Sequence, residues 1–179
     1  MNSKQRGFTM IELIVVIVIL GILAAVALPR FTNMQRDARI AKLNAARGAV
    51  QAASGMVHGV ALVRGGAADA AACPGTTVTA DNTTTVCTEN GIVTIVNGYP
   101  TADLPGIVSA AGLTSVFPAT AAALTAEGYS TTGGGTAIGD TLTIRVNGGS
   151  DPANCSFTYS PSNGGAGAAV ISAVTTTGC

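Results

Sequence analysis

Residues 6–31 read RGFTMIELIVVIVILGILAAVALPRF, and this stretch decides how the rest of the chain is organised. Within it, residues 8–28 form an apolar run of 21 residues that a single acid, Glu12, interrupts. As a helix the run is about 31 Å long, which matches the hydrocarbon thickness of a lipid bilayer. It is too long for the apolar core of a cleavable secretory signal, and it therefore predicts a membrane-spanning helix.

Glu12 needs an explanation, because an ionised group at the centre of a membrane-spanning helix costs about 2.5 to 3.5 kcal/mol on insertion scales. In a plain membrane anchor the acid would be incidental. It stands four residues after Phe8, about 6 Å along the axis, so its carboxylate can reach toward the head groups. Alternatively, the acid has a function, and an interaction inside the bilayer offsets the cost of its charge.

The composition favours a protein that packs against copies of itself over a highly solvated enzyme. Of the 179 residues, 47% are hydrophobic, 10% are charged and 23 are glycine, and the formal net charge is zero. Nucleic-acid binding therefore gains no overall electrostatic support. Lys and Arg residues follow the apolar run, whereas beyond Arg64 the sequence contains several acids and a single basic residue, Arg145. Either these charged side chains are simply exposed to solvent, or they attract copies of the chain to one another. In the second case the basic stem, up to Arg64, of one copy would contact the acidic head, beyond Arg64, of another.

The segment GFTMIE at residues 7–12 follows a short basic leader and opens the apolar helix, and it resembles the processing site of type IV prepilins. The resemblance implies that a membrane peptidase cuts between Gly7 and Phe8, and that the new terminal Phe8 becomes N-methylated. It also implies that Glu12 serves filament assembly, in which its carboxylate meets the terminal amine of a neighbouring subunit.

Later segments resemble those of the mannose-sensitive haemagglutinin (MSHA) pilins within that family. They are ALPRF before the stem, DARIAKLNAARGAVQAA at residues 37–53, NGYPTA at residues 97–102 and the terminal GC. The resemblance implies the α+β pilin fold, in which a long N-terminal α-helix packs against a small antiparallel β-sheet head. The predicted domains are a leader (1–7), the membrane-spanning and assembly half of the helix (8–28), its amphipathic half (29–64) and a β-rich head with disulfide loops (65–179).

An amphipathic stripe predicts that the helix continues beyond the membrane. Apolar residues recur at the three- and four-residue spacing of one helix face, namely Leu43, Ala46, Val50, Ala53, Val57 and Val60. This face is expected to lie against the sheet of the head. Pro29 lacks a backbone donor and Gly21 is a second weak point, so a kink or local opening is predicted at these positions.

The rest of the chain predicts a small antiparallel sheet. Short β-like runs cover residues 91–96, 141–146, 156–159 and 169–174, and the turn sequences NGYP, TTGGG, NGGSDP and SPSNGG separate them. A short helix is predicted over residues 103–113.

Four cysteines follow the apolar run and permit three pairings. Cys73 with Cys87 and Cys155 with Cys179 is the favoured pairing, because each bond closes a local loop. The second loop also resembles the carboxyl-terminal disulfide loop of pilins. Each disulfide is expected to contribute about 3 kcal/mol to stability. A zinc site is disfavoured, since no two cysteines have the close spacing of zinc ligands and the chain has one histidine.

The sequence contains no catalytic motif, and the chain is predicted not to be an enzyme and to use no cofactor or metal. Gly-x-Ser-x-Gly, a phosphate-binding loop with lysine and His-Glu-x-x-His are all absent. His58 adjoins the apolar stripe and is interpreted as a helix-surface or domain-contact residue. Asp81, Asn82 and Glu89 are interpreted as solvated turn residues in preference to a calcium site.

Together these features predict a structural subunit of a pilus for adhesion or motility. By resemblance, it is made as an inner-membrane precursor in a Gram-negative bacterium and polymerises into an extracellular filament. The partners so implied are copies of the chain, a prepilin peptidase that also methylates, an assembly ATPase with its inner-membrane platform, and an outer-membrane secretin. No nucleic acid is predicted as a partner. The alternative is a pseudopilin of a type II secretion system, which a calcium-binding head without a terminal disulfide would favour.

Overall fold

The structure is a computed structural model that describes residues 8–161 and 167–179. The chain divides into two compact units, Met1–Ala38 and Arg39–Cys179, and the described part of the first begins at Phe8. Helix α1, Met10–Arg64, supplies residues to both units. The predicted domain bounds at residues 28 and 64 remain predictions.

The second half of α1 carries the predicted apolar stripe into the core of the second unit. Leu43, Ala46, Val50, Ala53 and Val57 are buried there. The helix ends at two glycines with positive φ, and the amide of the first donates to the carbonyl of Ala61. Glycine adopts this left-handed conformation without steric cost, and it therefore terminates the helix at the position where the stripe ends.

Three strands form the first antiparallel sheet, in the order β1 (Thr85–Thr88), β2 (Gly91–Val96) and β3 (Tyr99–Pro100). Asn97 and Gly98 both have positive φ and join β2 to β3 in a tight hairpin. Val93 and Ile95 alternate with half-buried residues and belong to a core cluster that includes Val57 and Ala61 of α1.

Four strands form the second antiparallel sheet, in the order β4 (Tyr129–Gly133), β5 (Leu142–Val146), β6 (Ser156–Ser160) and β7 (Val170–Ile171). Its inner face is strongly apolar. Ile144 pairs directly with Phe157, and both lie in the same core cluster as Leu43 of α1. The alternation of buried and half-buried residues along β5 fixes this face toward the helix.

The predicted α+β class, with a long N-terminal helix and antiparallel strands, is confirmed, but the head contains two sheets where one was expected. The runs at 91–96, 141–146 and 156–159 correspond to β2, β5 and β6. The run at 169–174 gives a shorter strand, because the hydroxyl of Ser172 accepts the amide of Thr158 and interrupts the backbone ladder after Ile171.

Three short strands and one helix were missed. β3 lies within NGYP and β4 overlaps TTGGG, both of which are predicted turns, and β1 has only four residues. Helix α2, Ala121–Ala126, begins at Thr120, whose hydroxyl accepts the amide of Ala123 at 3.2 Å. The helical segment predicted at 103–113 is shorter, Leu104–Val108, and Asp103 caps it by accepting the amide of Gly106 at 2.8 Å.

Two disulfides join Cys73 to Cys87 and Cys155 to Cys179. This is the pairing that local loop closure favoured. Cys155 and Cys179 belong to the large core cluster of the second sheet, whereas Cys73 and Cys87 tie β1 to the loop that follows α1.

Candidate assembly site at the amino terminus

Thr9 and Glu12 cap the beginning of α1 reciprocally. The backbone amide and the hydroxyl of Thr9 donate to Glu12 Oε2 at 3.0 and 2.8 Å. In return, the amide of Glu12 donates to Thr9 Oγ1 at 3.3 Å. This is a capping box, which satisfies amides at a helix start that have no partner within the helix. Glu12 therefore has a structural role within a single chain.

The capping box matters most in a bilayer, where each unsatisfied backbone polar group costs several kcal/mol. Beside it, Phe8, Ile11, Val15 and Val16 form with Glu12 a shallow groove of about 330 Å³. The carboxylate thus stands at the edge of an apolar surface, close to the start of the helix. An amine that enters this groove would meet both a charge and an apolar wall.

The apolar run of α1 is exposed in the part of the chain that the structure describes. Its large side chains from Phe8 to Leu28 are 46% to 86% exposed, and the most apolar part of the helix is not buried at all. The helix is long and apolar enough to cross a membrane, and its most apolar window is not the part that is buried in the core of the second unit. So large an exposed apolar surface indicates contact with lipid or with other apolar helices.

Two other site predictions stay predictions. Gly7, on the leader side of the predicted cleavage, lies outside the described residues. The helix assignment runs without a break through Gly21 and Pro29, and whether the axis bends at either position remains a prediction.

Basic residues of the stem bind backbone carbonyls of the head in the same chain. Arg39 Nε donates to the carbonyl of Cys179 at 2.6 Å, Arg47 Nε donates to that of Ser172 at 2.8 Å, and Lys42 Nζ donates to that of Glu127. The sequence interpretation missed these contacts. The sequence could have predicted two of these contacts. Lys42 and Arg47 are next to the apolar stripe positions Leu43 and Ala46, so they border the face that packs on the head.

Two of the three loop residues weighed for calcium, Asp81 and Asn82, make hydrogen bonds within the protein. The carboxylate of Asp81 accepts the amides of Thr83, Thr84 and Thr85 and the hydroxyls of Thr84 and Thr85. The hydroxyl of Thr84 is the main cause of the lowered pKa of Asp81, and the three amides add to it. These bonds order the turn without a cation.

Buried Asn82 organises the adjoining loop. Its amide nitrogen donates to the carbonyl of Ala67 and to Asp69, and its oxygen accepts from Arg64. Arg64 also forms an ion pair with Asp69 at 3.0 Å. Asp69 lies close to both cysteines of the Cys73–Cys87 pair, but those sulfurs are bonded to each other, so they are not thiolate ligands for a metal.

The amino terminus of the chain has recognisable relatives. Residues 2–28 match the family described as the prokaryotic N-terminal methylation motif. Type IV narrow pilus major component PilA5 of Thermus thermophilus is 48% identical over 50 residues, which are 28% of this chain and 43% of the relative. The amino-terminal segment of the chain is therefore similar to that of type IV pilins, and we call it the pilin segment. This pilin segment contains Phe8, Glu12 and the exposed apolar run.

Two further relatives bear on the pilin segment. Type IV major fimbrial protein FimA of Dichelobacter nodosus is 40% identical over 53 residues, covering 30% of this chain and 34% of the relative. Type IV major pilin protein PilE1 of Neisseria gonorrhoeae is 52% identical over 42 residues, covering 24% of this chain and 26% of the relative. The chain thus spans less than half the length of each of these relatives. No solved structure matches the chain significantly.

Proposed function

We propose that this chain is a structural subunit of a type IV pilus, that it is a major pilin of the MSHA-like kind, and that it is not an enzyme. The observation that carries the proposal is the apolar run of α1, which begins with the Thr9–Glu12 capping box and is exposed among residues 8–161 and 167–179. Type IV pilins are membrane-anchored precursors that form extracellular pili, and a segment of this kind suits both states. In the membrane it contacts lipid, and in the filament it contacts the same segment of other subunits.

In the proposed mechanism, cleavage between Gly7 and Phe8 exposes the amine of Phe8, which is then methylated. The amine of an incoming subunit pairs with Glu12 of a neighbour, beside the groove formed by Phe8, Ile11 and Val15. Low dielectric strengthens this attraction and fixes the axial stagger between helices. Apolar contact along residues 8–28 supplies the lateral stabilisation.

The proposed partners follow from this route. A prepilin peptidase with methyltransferase activity processes the chain, an ATPase with an inner-membrane platform drives assembly, and an outer-membrane secretin releases the filament from a Gram-negative cell. A type II secretion pseudopilin is less favoured. That class would be indicated by a head that binds calcium and has no terminal disulfide. This chain has the terminal Cys155–Cys179 disulfide, and the carboxylate of Asp81 bonds to groups of its own turn.

The test of assembly compares two substitutions of Glu12. Glu12→Ala removes both the capping acceptor and the charge, whereas Glu12→Gln keeps an oxygen that accepts from Thr9 and removes only the charge. Because assembly depends on charge pairing, both variants should be processed and accumulate in the membrane while surface filaments are lost. Mass spectrometry of membrane and sheared fractions measures this, and the mature chain should begin at methylated Phe8.

Each other outcome has a distinct meaning. If Glu12→Gln builds filaments at the normal level and Glu12→Ala does not, the acid serves the helix start and the proposed pairing is wrong. If both variants assemble normally, Glu12 has no role in assembly. A native chain that is found uncut and absent from filaments would contradict the pilin function itself.

A further inference from the structure

We propose that the second unit of the chain binds a protonated aromatic amine in a cavity between the end of α1 and the β1–β2 hairpin, a function beyond filament formation. The cavity has a volume of about 650 Å³, which lies within the range of small-molecule sites in proteins. We call it the Glu89 cavity, defined by Met56, Val60, Val86, Glu89 and Ala110, which all line it. These five residues belong to the second unit.

The wall of the Glu89 cavity is largely apolar. Helix α1 contributes Met56, Val57 and Val60, strand β1 contributes Val86, and Ala110 lies in the wall as well. Val57 and Val86 are buried in the smaller core cluster, so packing fixes this part of the wall before a ligand arrives. Met56 adds a thioether, which makes favourable contacts with aromatic rings. An apolar ring therefore suits this surface.

Two polar side chains of the wall are already engaged within the protein. The hydroxyl of Ser109 donates to the carbonyl of Leu104 at 2.7 Å and accepts the amide of Ala119 at 2.8 Å. The hydroxyl of Thr88 donates to the carbonyl of Gly91 at 2.9 Å. These groups are satisfied without a ligand, so polar recognition has to come from elsewhere in the wall.

Glu89 gives the cavity its preference for charge. Arg64 also lines the cavity, but it is paired with Asp69 at 3.0 Å, which offsets its charge. Among residues 8–161 and 167–179, the Glu89 side chain makes no hydrogen bond and no ion pair, and no other acid of this part lines the cavity. A carboxylate beside an apolar wall attracts a cation more strongly than one surrounded by water, because the effective dielectric constant is lower.

The β1–β2 turn favours an amine over other ligands. Glu89 and Asn90 are neighbours in this turn, and both line the cavity. Their carboxylate and amide oxygens are acceptors, and an ammonium group has three donors to offer them. The Glu89 charge repels an anion, and a neutral apolar compound leaves both acceptors unused. A protonated amine on an aromatic ring uses the acceptors and the apolar wall together.

The test uses the full chain in detergent micelles, with tryptamine as the amine and tryptophol, which has a hydroxyl in its place, as the neutral counterpart. The chain contains no tryptophan, so indole fluorescence reports the added compound alone. After subtraction of the signal from empty micelles, the anisotropy of tryptamine should rise with protein concentration at about pH 7, where its amine is protonated. Tryptophol should bind at least about fivefold more weakly, because it lacks the charge that pairs with Glu89.

Three results of this comparison would overturn the proposal. They are equal binding of tryptamine and tryptophol, no binding of tryptamine, and tighter binding of the anion indole-3-acetate than of tryptamine. The third result would show that the cavity attracts negative charge.

A matched pair of charge variants locates the amine. Glu89→Gln keeps the size of the side chain and removes its charge, so it should weaken tryptamine binding at least about fivefold and leave tryptophol binding unchanged. Glu127→Gln makes the same change at another exposed acid of the second unit, outside the cavity lining, and should leave tryptamine binding within about twofold. An equal effect of the two variants on affinity would contradict the role of Glu89.

A second matched pair locates the aromatic ring. Val60 is half-buried in the cavity wall, and Val60→Phe should fill part of the space and weaken tryptamine binding at least about fivefold. Val63 is 89% exposed on the same helix and does not line the cavity, so Val63→Phe should leave binding within about twofold. Circular dichroism should show equal folding of the two variants. Unchanged binding by a folded Val60→Phe variant would place the ring elsewhere and contradict the proposed site.

Discussion

Glu12 has two competing partners, one in the single chain and one in the proposed filament. Thr9 engages its Oε2 atom within one subunit, and the amine of a neighbour is proposed to engage the carboxylate in the filament. The first set of bonds satisfies the helix start before assembly, which offsets part of the cost of placing an acid in a bilayer. The amine of the neighbour then supplies a positive charge opposite the carboxylate, which the neutral Thr9 does not.

Asp81 gives a residue-scale prediction about pH. Asp81→Ala removes the acceptor for three amides and two hydroxyls in an exposed turn, and should lower the free energy of unfolding by about 1 kcal/mol near neutral pH. The bond from the Thr84 hydroxyl is the first cause of the lowered pKa of Asp81, so the folded state favours the ionised acid. Its contribution is therefore full above the unfolded pKa near 4 and disappears as the pH falls through the lower folded pKa.

Thermal unfolding of the full chain in detergent, followed by circular dichroism at about pH 7 and about pH 2, measures this effect. The difference between wild type and Asp81→Ala should narrow at the lower pH. Glu89→Ala, a change of another exposed acid in the same region, is the control and should alter stability by less than about 0.5 kcal/mol. A difference for Asp81→Ala that persists unchanged at low pH would show that its charge is not the cause.

Residue-level contacts were predictable where they are local in sequence. Thr9-x-x-Glu12 before an apolar run is the pattern of a capping box and can be read directly from the chain. The network around Asn82 could not be predicted in this way, because Asn82 bonds to residues 13 to 18 positions earlier, including Arg64 at the end of α1, and itself has a positive φ. A turn-forming residue in sequence does not reveal which backbone groups it will reach.

At the scale of elements, α1 offers two leucines with opposite surroundings. Leu43 is fully buried against the second sheet, whereas Leu62 is 67% exposed near the end of the same helix. Leu43→Ala should lower the free energy of unfolding by about 2 to 5 kcal/mol, because it leaves a cavity in the core. Leu62→Ala should change it by about 0.5 kcal/mol or less. Thermal unfolding of the two variants measures the contrast, and equal losses would mean that the stripe does not pack on the head.

The second half of α1 could be predicted from the sequence, because six apolar positions repeat over about five helical turns. Strands β2, β5 and β6 could be predicted from their runs of β-branched or aromatic residues. β4, with the sequence YSTTG, lacks such a run and forms because Tyr129 pairs with Val146 and Gly133 with Leu142 on the neighbouring strand. Two-residue strands such as β3 and β7 likewise depend on pairing partners. Their local propensity is too weak to separate a strand from a turn.

At the scale of the whole molecule, the segment proposed for processing and assembly and the disulfide bonds belong to different units of the chain. The Thr9–Glu12 box lies in the first unit, and both disulfides lie in the second. The sequence indicated this division through the apolar run and the later cysteines. It did not indicate that the four-stranded sheet builds its core around one of the disulfides, because that depends on which strands become neighbours.

The two disulfides should therefore contribute unequally to the head. Loop-closure entropy alone predicts about 3 kcal/mol for the Cys73–Cys87 loop and about 3.4 kcal/mol for the longer Cys155–Cys179 loop. Cys155 and Cys179 are also 0% and 4% exposed in the core, and Arg39 binds the carbonyl of Cys179. Replacing both members of this second pair by alanine should thus cost more stability than the same change at Cys73 and Cys87.

Thermal unfolding of the two double variants measures that order, and mass spectrometry separates stability from processing. Both variants should still begin at methylated Phe8, because the proposed cleavage site lies in the pilin segment, and we expect the peptidase to recognise that segment alone. An equal loss of stability would mean that the core around Cys155 repacks without its bond. A second contrary outcome is a Cys155 and Cys179 variant that remains uncut while it is stable in the membrane. In that case the peptidase would also recognise the head, and the expectation that the pilin segment alone is recognised would be wrong.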